Sequence, residues 1–319
     1  MAISFTGETL INFFLLACLF AICLLGEWIS EKWKPGVFWL SFVGLFVLLT
    51  TAIFLQDWVR VGILTLGLFL ELLWFRQGIN WASDEILLTL GISAFSGTIA
   101  IALQAFIFSI LLEKFPSGTQ NWGLAAWGIP LLLQIVTYLV LEDLKRYSFH
   151  RLDHSSKFFW RFHKIHHGVT KLNCITGSRD HPVFNLGHWT SDIGLAYLLG
   201  VTPTALALGL SIRMVFGGIL PHFNVDFPNT TQTFPWWAYL IATPNFHAWH
   251  HTIHCRSDAN LADVFPVWDV LFGTFEKPRG SSRDWQFGLN DSEQLPQSIV
   301  GQLVAPFRSE NEMSQTRSI

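Results

Sequence analysis

Long uninterrupted apolar runs constrain this chain more than any other feature. They occupy residues 10–25, 37–55, 61–75, 86–112 and 125–141. A backbone in hydrocarbon must pair its N–H and C=O groups internally, so a spanning run is expected to be helical. The run at 86–112 is long enough to cross a core of about 30 Å with tilt. Composition agrees: 51% of residues are hydrophobic and 13% charged, where a soluble domain carries about 25% charged. The 15 Trp and 29 Phe suit lipid-facing and interfacial surface. The expected fold class is all-α, an integral membrane helical bundle.

The second constraint is the placement of histidine. All 12 lie between residues 150 and 254. His150 and His154 form H-R-L-D-H; His163, His166 and His167 form H-K-I-H-H; His247, His250 and His251 form H-A-W-H-H, with His254 just after. Residues at i, i+3 and i+4 share a helix face, so each cluster presents its imidazoles together if it is helical. His181, His188 and His222 are single. A surface or satisfied core position accounts for His188 and for His181. Three converging faces supply eight nitrogen ligands, and His222 a ninth. One tetrahedral zinc takes four, so the set suits two metals. Imidazole serves Zn, Cu, Fe and Ni alike and does not select among them. Asp143 lies four residues before Tyr147 and seven before His150, on one helix face. It is either a carboxylate holding a ligand histidine by its second nitrogen or a helix-end group at the interface.

Other classes find little support. A net charge of -3 offers no basic patch for nucleic acid. Cys18, Cys23, Cys174 and Cys255 form no C-x-x-C pair, so no disulfide framework or thiolate metal site is indicated. There is no P-loop, no G-x-G-x-x-G, no G-x-S-x-G, no H-E-x-x-H and no internal repeat.

The run at 10–25 has no basic segment before it and is expected to be a membrane helix rather than a cleaved signal. Five crossings put Lys32, Lys34, Arg76, Lys145 and Arg146 on one side, opposite Asp57, Arg60, Glu113 and Lys114. The side rich in Lys and Arg is expected to be cytoplasmic, and the histidines follow it. Residues 193–220 are apolar but broken at 200–203; a hairpin there returns His222 to the other histidines. The short run at 234–241 is expected to be interfacial. From Phe275 on the chain is polar and is expected to be partly disordered. The division is thus a transmembrane region at 1–140, a catalytic region at 141–278 that includes a membrane hairpin at 193–220, and a polar tail at 279–319.

The motifs in order resemble the fatty acid hydroxylase/sterol desaturase superfamily. They are Asp143, Tyr147, His150, Arg151 and His154; then His163, His166 and His167; then His222 and Asn224; then His247, His250 and His251; then Trp268, Asp269, Leu271, Phe272, Gly273 and Thr274. The resemblance covers roughly residues 140–278. It implies a membrane-embedded, O2-dependent non-haem enzyme that hydroxylates or desaturates a lipid: a sterol, a fatty acyl group or a related apolar chain. A histidine-rich cytosolic helical cap would hold two iron ions, for which zinc can stand in purified protein. The implied ligands are His150, His154, His163, His166, His167, His222, His247, His250 and His251. Asp143, Tyr147, His181, Asn224, His254, Asn260 and Asp269 are the candidate supporting residues. Electrons would come from NAD(P)H through a separate donor protein such as cytochrome b5 or ferredoxin, docked on Arg151, Lys157, Arg161 and Lys164. Two positions depart from the family pattern: Asn260-Leu261-Ala262 stands for N-Y-G, and Phe184 stands where a Glu follows the R-x-H-P segment. The alternatives are a transition-metal transporter and a di-metal lipid enzyme of other chemistry. Transporters place ligands on broken helices at mid-membrane, whereas these clusters lie among charged residues.

Overall fold

The fold was analysed in a computed structural model, which describes residues 83–114, 122–225, 235–256, 258–290 and 293–308. The expected spans at 10–25, 37–55 and 61–75, and Lys32, Lys34, Asp57, Arg60 and Arg76, lie outside the described residues. The described chain is all-α. Among the described residues, Thr252 and Phe287 form an isolated antiparallel bridge.

Helix α1 spans Asp84–Lys114, with Asp84 and Glu85 in its first turn, where acidic groups favour the helix dipole. Residues Ile86, Leu87, Leu88, Thr89, Leu90 and Ile92 are all buried. Ile86, Leu87, Leu88, Leu90 and Ile92 share a core with Ile165, Ile175, Phe223, Ile299 and Ala305. The first half of the run expected to face lipid therefore sits inside the protein. A helix that is apolar all round can do either, and hydropathy alone does not choose.

A short α2, Gly123–Ala126, leads to Pro130, which starts α3, Leu131–Ser155. The exposed side of α3 is apolar: Leu131, Leu132, Leu133, Val136 and Leu141. Its buried stripe is Gln134, Tyr138, Glu142, Asp143, Arg146, Tyr147, His150 and Asp153. Over the first half of the helix the exposed surface is apolar, the reverse of a soluble helix. After a break at Ser156, α4 (Lys157–His167) carries the second histidine cluster.

His181 caps α5, Pro182–Leu199, by accepting from Val183 N. The chain turns at Gly200, in the left-handed region, and Thr202 caps α6, Pro203–Arg213. A Cβ on Gly200 would lie 2.2 Å from Trp122 O, and one on Gly123 would lie 2.2 Å from Leu199 O. Two left-handed glycines thus close this end of the α3, α5 and α6 bundle. Helix α6 continues as a π-helical stretch, Met214–Ile219, and a 3-10 turn, Leu220–His222. Pro203–His222 is the one helix among the described residues that is long and apolar enough to cross a membrane by length and composition.

Thr243 caps α7, Pro244–His250, by accepting from Phe246 N. Helix α8, Val267–Phe272, ends at the left-handed Gly273. The residues after 275 do not form a disordered tail as far as 308. Trp285 and Phe287 pack on Val169, Leu172 and Trp249, and Leu295, Ile299 and Ala305 join the core with α1. Helix α9, Ile299–Val304, is capped by Ser298. A few buried anchors suffice to fold a segment whose average composition is polar. The packed unit around the histidines thus reaches beyond 141–278 at both ends.

Candidate metal centre

Helices α3, α4 and α7 aim their histidines at one another, and the 3-10 turn after α6 adds His222. Nine imidazoles fall into two groups: His150, His154, His163, His167 and His250, and His166, His222, His247 and His251. Within each group the potential ligand atoms lie within 4.8 Å of one another. Eight of the nine rings are buried, and His154 is partly so. His167 stacks on His251 at 4.4 Å, so the groups share a wall.

The ring nitrogens have distinct duties. Three Nδ1–H groups donate to backbone carbonyls: His150 to Leu261 O, His250 to Ala259 O and His222 to Gly218 O, each at 2.7 Å. That fixes the tautomer and leaves Nε2 as a bare lone pair. In the five-histidine group Nε2 of His163 lies 3.0 Å from that of His150 and 3.1 Å from that of His167. In the other group Nε2 of His222 lies 3.2 Å from that of His166 and 3.0 Å from that of His247, which lies 3.0 Å from that of His251. Burial, then neighbouring imidazoles, push His163, His166, His167, His247, His250 and His251 well below their ordinary pKa.

A cation fits this donor set. Neutral lone pairs about 3 Å apart repel, and a shared ion with bonds of about 2.0–2.1 Å separates adjacent nitrogens by about that distance. Nε2 of His250 is buried with no hydrogen-bond partner while its Nδ1 is tied.

Among the candidate supporting residues, Asp143, Asp269, Tyr147 and Asn260 act on a loop. Asp143 accepts from Val264 N, Phe265 N and Trp268 Nε1 at 2.9–3.0 Å. It is neither a partner of a ligand ring nor a group at the interface. Asp269 accepts from Leu261 N, Ala262 N and Thr274 Oγ1, and Tyr147 Oη pairs with Thr274 Oγ1 at 2.8 Å. Asn260, at φ 57°, ties Phe246 O and Glu276. Together they fix residues 259–265, whose carbonyls orient His150 and His250. His181 caps α5 and donates from Nε2 to Leu303 O. Asn224 is buried two residues after His222. His254 is exposed and stands apart from both groups. Of the basic face, Arg151 and Lys157 are exposed and Arg161 partly so, whereas Lys164 is buried.

Two features escaped the sequence. Asp180 Oδ1 lies 3.4 Å from His166 Nδ1, so the carboxylate beside a ligand ring comes from the turn before α5. Burial pushes Asp180 up to about 7. Below the histidines, Arg146 pairs with Glu142 and Asp192, Lys145 with Asp192, and Arg213 with Asp263. His188 is buried in this network, with Nε2 3.3 Å from Asp153 Oδ2. An Asp beside one apolar stretch and an Arg within it were the available signal. Phe184, in place of the family's Glu, stacks on His163 at 4.8 Å.

Comparison with known proteins places this site in context. Residues 135–274 match a family described as fatty acid hydroxylase. An ornithine lipid hydroxylase of Rhizobium tropici is 33% identical over 180 residues, 56% of this chain and 51% of that protein. Methylsterol monooxygenase 1-3 of Arabidopsis thaliana is 29% identical over 180 residues, 52% of this chain and 57% of that protein. A very-long-chain aldehyde decarbonylase of Oryza sativa subsp. indica is 26% identical over 181 residues, 55% of this chain and 64% of that protein. The chain thus spans 51% to 64% of the length of these relatives. No solved structure matches.

Proposed function

We propose, from the match of residues 135–274 to the fatty acid hydroxylase family and the likeness to a lipid hydroxylase, that this chain is a membrane-bound di-iron lipid oxygenase. The observation that carries the proposal is the pair of histidine groups, nine imidazoles with their donor nitrogens turned inward. When bound, the ions supply the O2-dependent redox chemistry that an unactivated C–H bond requires. Hydroxylation consumes one O2, two electrons and two protons and yields an alcohol and water; the electrons come from NAD(P)H through a donor protein of cytochrome b5 or ferredoxin type.

The chain's own residues supply the setting. Carbonyls of Leu261, Ala259 and Gly218 hold three rings in the ligating tautomer. Burial keeps the imidazoles neutral and excludes bulk water. The apolar exposed side of α3 and the span Pro203–His222 suit a bilayer, with residues 193–220 as a membrane hairpin. The substrate chain then enters from lipid. The Lys and Arg bias puts the histidine cap in the cytoplasm, where Arg151, Lys157 and Arg161 are available to a donor protein.

Lipid mass spectrometry of cells with and without the gene tests this. The expected result is a lipid that gains one oxygen or loses two hydrogens, and that vanishes with His250→Ala. The likeness to an aldehyde decarbonylase favours a second chemistry on the same site. A product short of a one-carbon unit would select it, and an unchanged lipid profile would reject both.

A further inference from the structure

We propose that Asp180 is a positioning residue for the four-histidine group, its carboxylate accepting the Nδ1–H of His166 and so turning Nε2 toward the shared ion. The inference rests on the metal-binding role proposed above.

His166 Nδ1 is buried and has no hydrogen-bond partner within full bonding geometry. The group facing it is Asp180 Oδ1 at 3.4 Å. His150, His222 and His250 use backbone carbonyls for the same purpose. A carboxylate is a stronger acceptor than a carbonyl, and it raises the donor strength of the ligand nitrogen.

The turn that carries Asp180 is held by two helices, α1 and α9. From α1, Ser96 Oγ donates to Asp180 O, and Ser93 Oγ pairs with Ser178 Oγ at 2.9 Å. From α9, Gln302 Oε1 accepts from Arg179 Nη2 at 3.0 Å. On the other flank, His181 Nε2 donates to Leu303 O at 3.0 Å. Within the turn, Asp180 N donates to Ser178 O at 3.0 Å. The residues on both sides of Asp180 are therefore anchored, and its side chain faces one ligand ring. The anchors lie at 93–96 and 302–303, outside residues 135–274 matched by the family. Segments flanking the domain thus reach its metal centre through one carboxylate.

The test is an anaerobic titration of the full-length, detergent-solubilised, metal-free protein with Fe(II), read by chelator competition. The wild type is expected to bind two ions. Asp180→Asn keeps the size but loses the charge, and is expected to weaken one ion by about 10–100-fold and leave the other unchanged. Asp180→Glu is expected to restore most of the loss, which a merely structural role would not predict. In Asp180→Asn combined with His250→Ala, both ions should be weakened, because the two changes strike different groups. Unchanged binding in Asp180→Asn, or equal weakening of both ions, would overturn the positioning role while leaving the di-iron proposal standing. A well-folded wild type that binds no iron would overturn both.

Discussion

The two histidine groups are built by different means. The five-histidine group takes its rings from α3, α4 and α7 and leans on the loop at 259–265, which Asp143 and Asp269 hold by four hydrogen bonds. The four-histidine group takes one ring from a π-helical and 3-10 continuation of α6 and has a carboxylate, Asp180, against another. It also has one ring fewer. The first group is a product of local helix geometry and one rigid loop. The second is assembled from remote parts of the chain. A change in the fold should therefore reach the two ions separately.

The largest expected effect comes from removing a ring from each group. His250→Ala and His222→Ala should each cut turnover more than about 100-fold, beyond the usual cost of losing an outer partner of a ligand. Elemental analysis should show one ion lost in each case, and a different one. If either change empties both groups, the groups form one cooperative unit and the contrast fails.

Next is the loop. Asp269→Ala leaves buried donors at Leu261 and Ala262 without an acceptor, at about 1–3 kcal/mol each. A stability loss of about 2–6 kcal/mol is expected, read as a lower midpoint of thermal or denaturant unfolding. Iron should be lost first from the five-histidine group. Preferential loss from the other group would contradict the assignment of the loop.

The smallest is a single methyl group. A Cβ on Gly177 would lie 2.3 Å from Gly218 O and 2.8 Å from His222 Nδ1, so Gly177→Ala must push the turn that carries His222. About a 10-fold weaker four-histidine ion is expected, on the scale of a lost outer partner, with the five-histidine ion unchanged in the same titration.

What the sequence revealed follows the same division. His150, His154, His163, His166, His167, His247, His250 and His251 were legible because helical spacing alone puts such rings on one face. His222 has no neighbour at that spacing, and its place depends on where the chain turns after α5. Asp143 shares the face of His150, yet three N–H groups from 264–268 take its oxygens; periodicity gives direction but not the partner. Asp180 belongs to no periodic pattern, and its role comes from contacts with segments more than 80 residues away in sequence. Lys164 sits next to a ligand ring and is buried with it, so charge alone did not mark it as part of a docking face. Hydropathy identified α1 as a long helix but not that its first half lies in the protein core rather than in lipid.

The measurement closest to the central claim is Mössbauer spectroscopy of the full chain reconstituted with 57Fe. Two unequal histidine groups, one with a carboxylate behind a ring, predict two quadrupole doublets of equal area, one for each iron. A single doublet from two equivalent ions, or a spectrum from one iron per chain, would contradict the account.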